Sequence, residues 1–255
     1  MTFSDYIQKQ PTSANELPMV HTTEYFRLPL IRTTNALQAH DCKIFKEPLL
    51  YFFYGRPAYR DTSQTTPTRD VTLYPICFVF GPGTIVKKAK RLYPFDTGAS
   101  QHGLYKPAIQ PAGALLHYQV AAVAESARKI VGGFFATDEE YLSNKPKLGL
   151  SFSSGETNAR SYYDLINGGG DPDCDDRYSA VEIQVAEDID VREGLKAIVL
   201  PNCFLDDKPL KKTLVKDWKV KLLPYPADVG LRPIEFHNTI RYLIRKFYRR
   251  AGYLS

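Results

Sequence analysis

Long hydrophobic runs are missing from this 255-residue chain. The longest apolar stretches, such as residues 76–80 and 197–200, fall far short of the ~20 residues a membrane helix needs, so no membrane partner is expected. Residues 1–18 hold neither a basic start nor an apolar stretch. Nothing there reads as a signal peptide, and a cytoplasmic setting is expected. Cysteine is scarce: Cys42, Cys77, Cys174 and Cys203 lie far apart with no CxxC pair, which excludes zinc-finger spacing and favours reduced thiols. The five histidines (His21, His40, His102, His117 and His237) have no HExxH spacing. No GxSxG elbow, GxGxxG turn or GxxxxGK[ST] loop occurs, which argues against a hydrolase nucleophile elbow, a Rossmann site and a P-loop. Internal repeats are absent as well.

One motif imitates a metal site. Asp171, Asp173, Asp175 and Glu182 fall at positions 1, 3, 5 and 12 of a calcium-loop pattern. Its sixth position is Asp176, where the sharp turn of such a loop needs glycine, so no metal is expected.

What the chain does have is aromatic residues and an uneven excess of positive charge. The net charge is +5, with basic residues gathered at Lys87, Lys88, Lys90 and Arg91, at Lys208, Lys211 and Lys212, and near the C-terminus. A solvated face explains any one cluster, whereas three together favour an anionic partner. The 17 tyrosines suit stacking on planar rings, and equally suit a tyrosine-rich core.

Read in order, residues 1–16 are polar and are expected to form a loose arm, with a single domain over 17–255. Strands are expected at 17–22, 49–54, 71–80, 180–185, 195–201 and 220–223, where β-branched and aromatic residues run up to Gly or Pro stops. Residues 93–112, with three prolines and two glycines, read as a long ordered loop. Helices are expected over 119–131, ending at Gly132, behind Asp138, over 209–218, and from Pro233 to Arg250. Strands with helices at the flanks and end give an α+β class, with mixed or antiparallel sheets.

The candidate site residues are spread over these strands. His21, Thr22 and Thr23 end the first strand. The second runs through Tyr51 and Tyr54 into Arg56, held between Gly55 and Pro57, with Tyr59 and Arg60 following. The planar fork of an arginine in such a constrained turn suits phosphate. Glu182 stands alone between Val181 and Ile183, and from local sequence a solvent-facing and a functional role are equally open.

The order of His-Thr on the first strand, an aromatic strand running into an Arg-Pro turn, and a strand glutamate after a loop resembles the ADP-ribosyltransferase superfamily. The likeness is greatest to DarT-type nucleic-acid ADP-ribosyltransferases, with Ala180-Val181-Glu182 matching an A-E-V-like strand. There is one residue more between Ala180 and Glu182 than in the A-E pair, and the YPFDTG segment has no counterpart. The resemblance implies an ADP-ribosyltransferase-like fold with NAD as substrate. It also implies Glu182 and Arg56 as catalytic residues, Arg56 acting on the NAD phosphates. His21 would meet the NAD ribose, with Thr22, Thr23, Tyr51, Tyr54, Tyr59 and Arg60 around the cofactor and 158–179 as the target-recognition loop. Cleaving the nicotinamide–ribose bond develops positive charge on the ribose, which a nearby carboxylate stabilises. A toxin or defence effector with an antitoxin or other regulatory partner fits that resemblance. On the final helix Arg241, Arg245 and Arg249 fall at i, i+4 and i+8 and share a face, which could meet a nucleic-acid or protein acceptor. An NAD glycohydrolase, a 2′-phosphotransferase of the same broad fold and a non-catalytic binding module remain open alternatives.

Overall fold

A computed structural model describes residues 1–58, 66–106, 108–109, 115–169 and 176–254. Its strands are β1 (Met19–Glu24), β2 (Ala36–Leu37), β3 (His40–Cys42), β4 (Glu47–Tyr54), β5 (Pro75–Phe80), β6 (Ala89–Tyr93), β7 (Glu182–Val185), β8 (Ile189–Asp190), β9 (Leu195–Pro201) and β10 (Lys221–Tyr225). Eight of them form one mixed sheet in the order β10-β9-β5-β1-β4-β7-β6, with β3 also paired to β4. Only the β9–β10 pair in it is parallel. β2 and β8 make a separate two-stranded ladder. The α+β class with flanking helices holds.

Burial explains the strand order. Every residue of β5 is buried, as a strand covered on both faces demands, and its apolar run PICFVF supplies that cover. The pairing of β1 is lopsided. It pairs with β5 along all six residues, from Met19↔Phe80 to Glu24↔Pro75, but with β4 only at Met19↔Tyr54 and Val20↔Phe53. Beyond those two pairs the sheet parts into β10-β9-β5-β1 on one side and the β4-β7-β6 group on the other.

The helices are α1 (Phe3–Gln8), α2 (Leu28–Thr34), α3 (Thr97–Gln101), α4 (Leu115–Tyr118), α5 (Ala124–Phe134), α6 (Asp138–Leu142), α7 (Thr157–Asp164), α8 (Lys208–Lys212) and α9 (His237–Ala251). Among the described residues no helix is long and apolar enough to cross a membrane. α9 lies across β5, β9 and β10 and buries Ile240, Ile244 and Tyr248. Leu243 and Phe247 are half-buried at the margin of that contact.

The N-terminal segment is not a loose arm. Thr2 caps α1 with a reciprocal Thr2–Asp5 box, and Phe3, Tyr6 and Ile7 are buried. Phe3 packs edge-on to Tyr162 at 5.6 Å and against Phe134 at 6.3 Å. Three apolar residues in a six-residue helix leave too short a period to stand out in sequence. Nor does Gly132 stop the helix before it: α5 begins later, at Ala124, and continues to Phe134. Gly132 is small because the chain presses on it, since an added Cβ would lie 2.2 Å from the Pro11 carbonyl oxygen. Val120, expected on that helix, bridges to Leu92 instead.

Other basic residues turn out to be strand. β6 comes from the Lys87–Arg91 cluster: Leu92 and Tyr93 are buried, while Lys90 and Arg91 both pair with Glu47. Lys88 lies 3.5 Å from Glu187 and 3.3 Å from Glu193. Much of that cluster is therefore neutralised within the fold.

The packing of α1 gives a direct test. Phe3→Ala should lower unfolding stability by about 3–5 kcal/mol in a urea titration. A loss below about 0.5 kcal/mol would mean that α1 contributes nothing to the core.

Candidate functional site

Where β1 leaves β4, a cavity of about 300 Å³ opens, lined in part by His21, Thr22, Thr23, Arg27, Cys42 and Tyr51. Leu30, Ile31 and Leu37 supply an apolar wall. His21 sits at the parting. Its Nδ1 lies 2.8 Å from the Tyr51 carbonyl oxygen. A carbonyl can only accept, so Nδ1 carries the proton and Nε2 keeps its lone pair. Phe52 at 5.6 Å and Phe78 at 6.3 Å flank the ring. Burial pulls the His21 pKa down to about 4, outweighing the Tyr51 hydrogen bond and the Glu24 charge that favour the imidazolium. The ring is neutral at pH 7.

The other walls are tied to each other. The Tyr51 hydroxyl donates to Cys42 Sγ at 2.8 Å, which fastens β3 to β4. Burial, then the Cys42 contact and the Glu182 charge, push that phenol far above its ordinary range, so it stays a donor. Thr22 donates to Cys77 Sγ at 3.5 Å, and Thr23 to Glu24 Oε2 at 3.2 Å. His21, Thr22, Thr23 and Tyr51 thus all line one cavity.

Glu182 lies one strand behind the cleft. It pairs in register with Phe53 of β4 and Tyr93 of β6, and Gln184, opposite Tyr51, shares its face of the sheet. It does not face solvent: it is 1 % exposed. Its oxygens accept from Thr97 N at 2.9 Å, Thr97 Oγ1 at 2.8 Å and Gln184 Nε2 at 2.8 Å. Arg91 Nη1 lies 3.3 Å from Gln184 Oε1, which completes a chain of polar contacts to Glu47 at the surface. Burial pushes the Glu182 carboxyl up to about 8, the nearby Asp96 adds to this, and the hydrogen bonds offset it only in part.

Arg56 and Tyr54 stand elsewhere, a correction to the expected cofactor site. Arg56 is 1 % exposed. Its Nη1 donates to the Tyr141 carbonyl at 3.1 Å, and its Nη2 to the Asp176 carbonyl at 2.8 Å and to the Ser179 hydroxyl. The guanidinium also lies over the Tyr141 ring at 5.1 Å. The fork expected to hold phosphate is spent on the fold, because the constrained GRP turn aims it inward. There it fixes α6 to the 176–179 segment that leads into β7. Tyr54 is fully buried, its hydroxyl accepting from Leu17 N at 2.9 Å and donating to the Asn15 carbonyl at 3.2 Å. Neither residue lines the cleft. Tyr59 and Arg60 lie outside the described residues, as do Asp171, Asp173 and Asp175 of the calcium-like pattern.

The arginine row of α9 does share one face. Arg245 Nη2 is 2.5 Å from Glu139 Oε2, Arg249 Nε is 2.8 Å from Glu139 Oε1, and Arg241 pairs with Asp176. These contacts brace α9 to α6 and to the same 176–179 segment. A shallow groove of about 450 Å³ runs along them, with Asn238 and Tyr242 in its wall. Two acids thus offset much of the charge expected to meet an acceptor.

Several site residues escaped sequence reasoning. Thr97 belongs to the YPFDTG segment, where nothing local points to a distant glutamate. Gln184 was within reach: two residues on from Glu182 in a strand, it must share its face. Arg27 and Cys42 enter through the turn after β1 and the short β3, neither with a periodic signal. Among the described residues no cluster of three or more His, Cys, Asp or Glu could hold a metal. No protein-family model matches the chain, and neither does any curated protein.

Two measurements probe this electrostatic picture. A carboxyl whose folded pKa is raised takes up its proton on folding, so stability falls as pH rises from about 4.5 to about 8. The slope approaches 1.4 kcal/mol per pH unit where only the folded state is protonated. Urea titrations across that window should show a flatter profile for Glu182→Gln than for the wild type, and identical slopes would contradict the buried, raised carboxyl. Glu139 behaves oppositely: burial would raise it, but Arg245 and Arg249 hold it below the usual 4.5. Glu139→Gln should lower stability by up to about 1 kcal/mol at neutral pH. That difference should disappear as pH falls through the depressed folded-state value.

Proposed function

We propose that the protein is an NAD-dependent ADP-ribosyltransferase whose NAD site is the cleft between β1 and β4. The observation that carries the reading is the neutral His21 at the parting of the strands, whose Nε2 has no hydrogen-bond partner among the described residues, in a cavity that Thr22 and Thr23 also line. A ribose hydroxyl can donate to Nε2, the threonines can bond further sugar oxygens, and the Tyr51 side and apolar wall suit a planar ring.

The chemistry follows from charge. The C–N bond between ribose and nicotinamide breaks with its electron pair leaving on nicotinamide, and an acceptor oxygen or nitrogen bonds to the ribose carbon. Glu182 lies one strand behind this cleft, so it has to reach the ribose from there; in its ionised form it then stabilises the cationic ribose and takes the acceptor's proton. With the carboxyl pushed up to about 8, it is a stronger base than an ordinary glutamate once ionised, so turnover should rise with pH toward that value. Turnover requires Thr97 to release the carboxylate it covers. A nucleic-acid or a protein acceptor would approach along the basic face of α9, where the excess charge is small. Nucleic-acid binding there should weaken steeply with salt. A nucleotide-binding module without turnover is the second reading, favoured by the burial of Glu182 under three hydrogen bonds.

Incubation with labelled NAD and mixed nucleic-acid and protein acceptors, read by mass, separates these readings. Nicotinamide release with transfer of label is expected, falling by about 10²- to 10³-fold in Glu182→Gln. Release without transfer would make the protein a glycohydrolase, and saturable binding without release would make it a binding module. Absence of NAD binding would defeat the proposal.

A further inference from the structure

A dinucleotide brings a diphosphate, and the arginine expected to receive it is committed elsewhere. Arg56 donates to two carbonyls and a hydroxyl behind the sheet, and the α9 arginines pair with Glu139 and Asp176. Among the described residues, Arg27 is the arginine that lines the cleft.

Its setting is built for an anion. Arg27 ends the single turn Tyr25–Arg27 that follows β1. Its Nε donates to Glu24 Oε2 at 3.2 Å, and Glu24 is itself 5 % exposed and held by the Thr23 hydroxyl. The guanidinium lies over the Phe26 ring at 5.1 Å. One edge and one face of the guanidinium are thereby fixed. Nη1 and Nη2 have no hydrogen-bond partner among the described residues, and the side chain is 46 % exposed. A guanidinium oriented by a buried acid, with its distal nitrogens open at a cavity wall, can bond two oxygens of one phosphate. Asp41, exposed on the same cavity, carries the opposite sign. A ligand with a cationic ring and an anionic diphosphate matches both.

We propose that Arg27 is the diphosphate-binding residue of the cleft. The identity of the ligand as NAD rests on the reading above, whereas the anion site rests on Arg27 alone, and three probes separate the two. NAD, inorganic pyrophosphate and nicotinamide riboside, which lacks phosphate, are titrated calorimetrically into the wild type, Arg27→Gln and Arg27→Lys. Arg27→Lys keeps a cation beside the buried Glu24, so the fold is preserved while the fork is lost.

NAD affinity should fall by about 10- to 100-fold in Arg27→Gln and by less in Arg27→Lys, with nicotinamide riboside unchanged. Pyrophosphate binding that depends on Arg27 in a protein that ignores NAD would keep the anion site and defeat the NAD reading. Equal losses for NAD and nicotinamide riboside, no loss for either, or no binding of NAD and pyrophosphate to the wild type would each overturn the role of Arg27.

Discussion

Two residue pairs between β1 and β4 are the constraint on which the rest of the molecule turns. With Met19↔Tyr54 and Val20↔Phe53 the sheet is continuous, and one residue later it is not. A parting sheet exposes backbone groups on both facing edges, and buried groups of that kind need partners. The His21 ring answers for the Tyr51 carbonyl, and β3 pairs with Glu47, Pro48 and Leu49 of β4. His21 therefore has a structural task, to end a ladder without leaving an orphan acceptor. Satisfying it forces the Nδ1–H tautomer and leaves Nε2 an acceptor on a ring that lines the space the strands have vacated. The cavity and its basic nitrogen share one cause.

Two buried charges organise the other side of the sheet. Arg56 gathers α6 and the 176–179 segment, and Arg241 reaches the same segment from α9. The Tyr141 hydroxyl donates to the Tyr54 carbonyl at 2.8 Å and accepts from Val181 N at 3.2 Å, which fixes the entry into β7. Glu182 is thus delivered to its place by contacts upstream of it. There it has hydrogen bonds but, among the described residues, no cation in direct contact, so burial prevails over them and keeps its pKa high. An arginine that positions a segment and a glutamate strained toward the neutral form are different uses of a buried charge.

Sequence reasoning reached the α+β class and most strands because their signals are local. Leu195–Pro201 matches its expected bounds, as a mostly apolar run with Ile198 and Val199 at its centre and proline at its end should. It also named His21, Thr22, Thr23 and Tyr51 together, on the resemblance and not on alternation, which puts His21 and Thr22 on opposite faces of β1. It failed where a residue's role depends on direction in space. Nothing in GRP tells whether Arg56 faces a ligand or the core, and a row of arginines at helical spacing does not reveal Glu139, more than a hundred residues away. α1 was lost in a polar-looking N-terminus, and β6 was hidden by Lys90 and Arg91. Thr97 and Arg27 were invisible because their partners come from tertiary contact or from a single turn.

The proposed NAD site stands on His21 Nε2 acting as an acceptor in the cleft. Nitrogen-15 spectra of the His21 ring, recorded at neutral pH with and without NAD, test it most directly. A neutral ring protonated on Nδ1 is expected, with an Nε2 resonance that shifts as NAD is added. A ring protonated on Nε2, or an Nε2 resonance unmoved at saturating NAD, would contradict it.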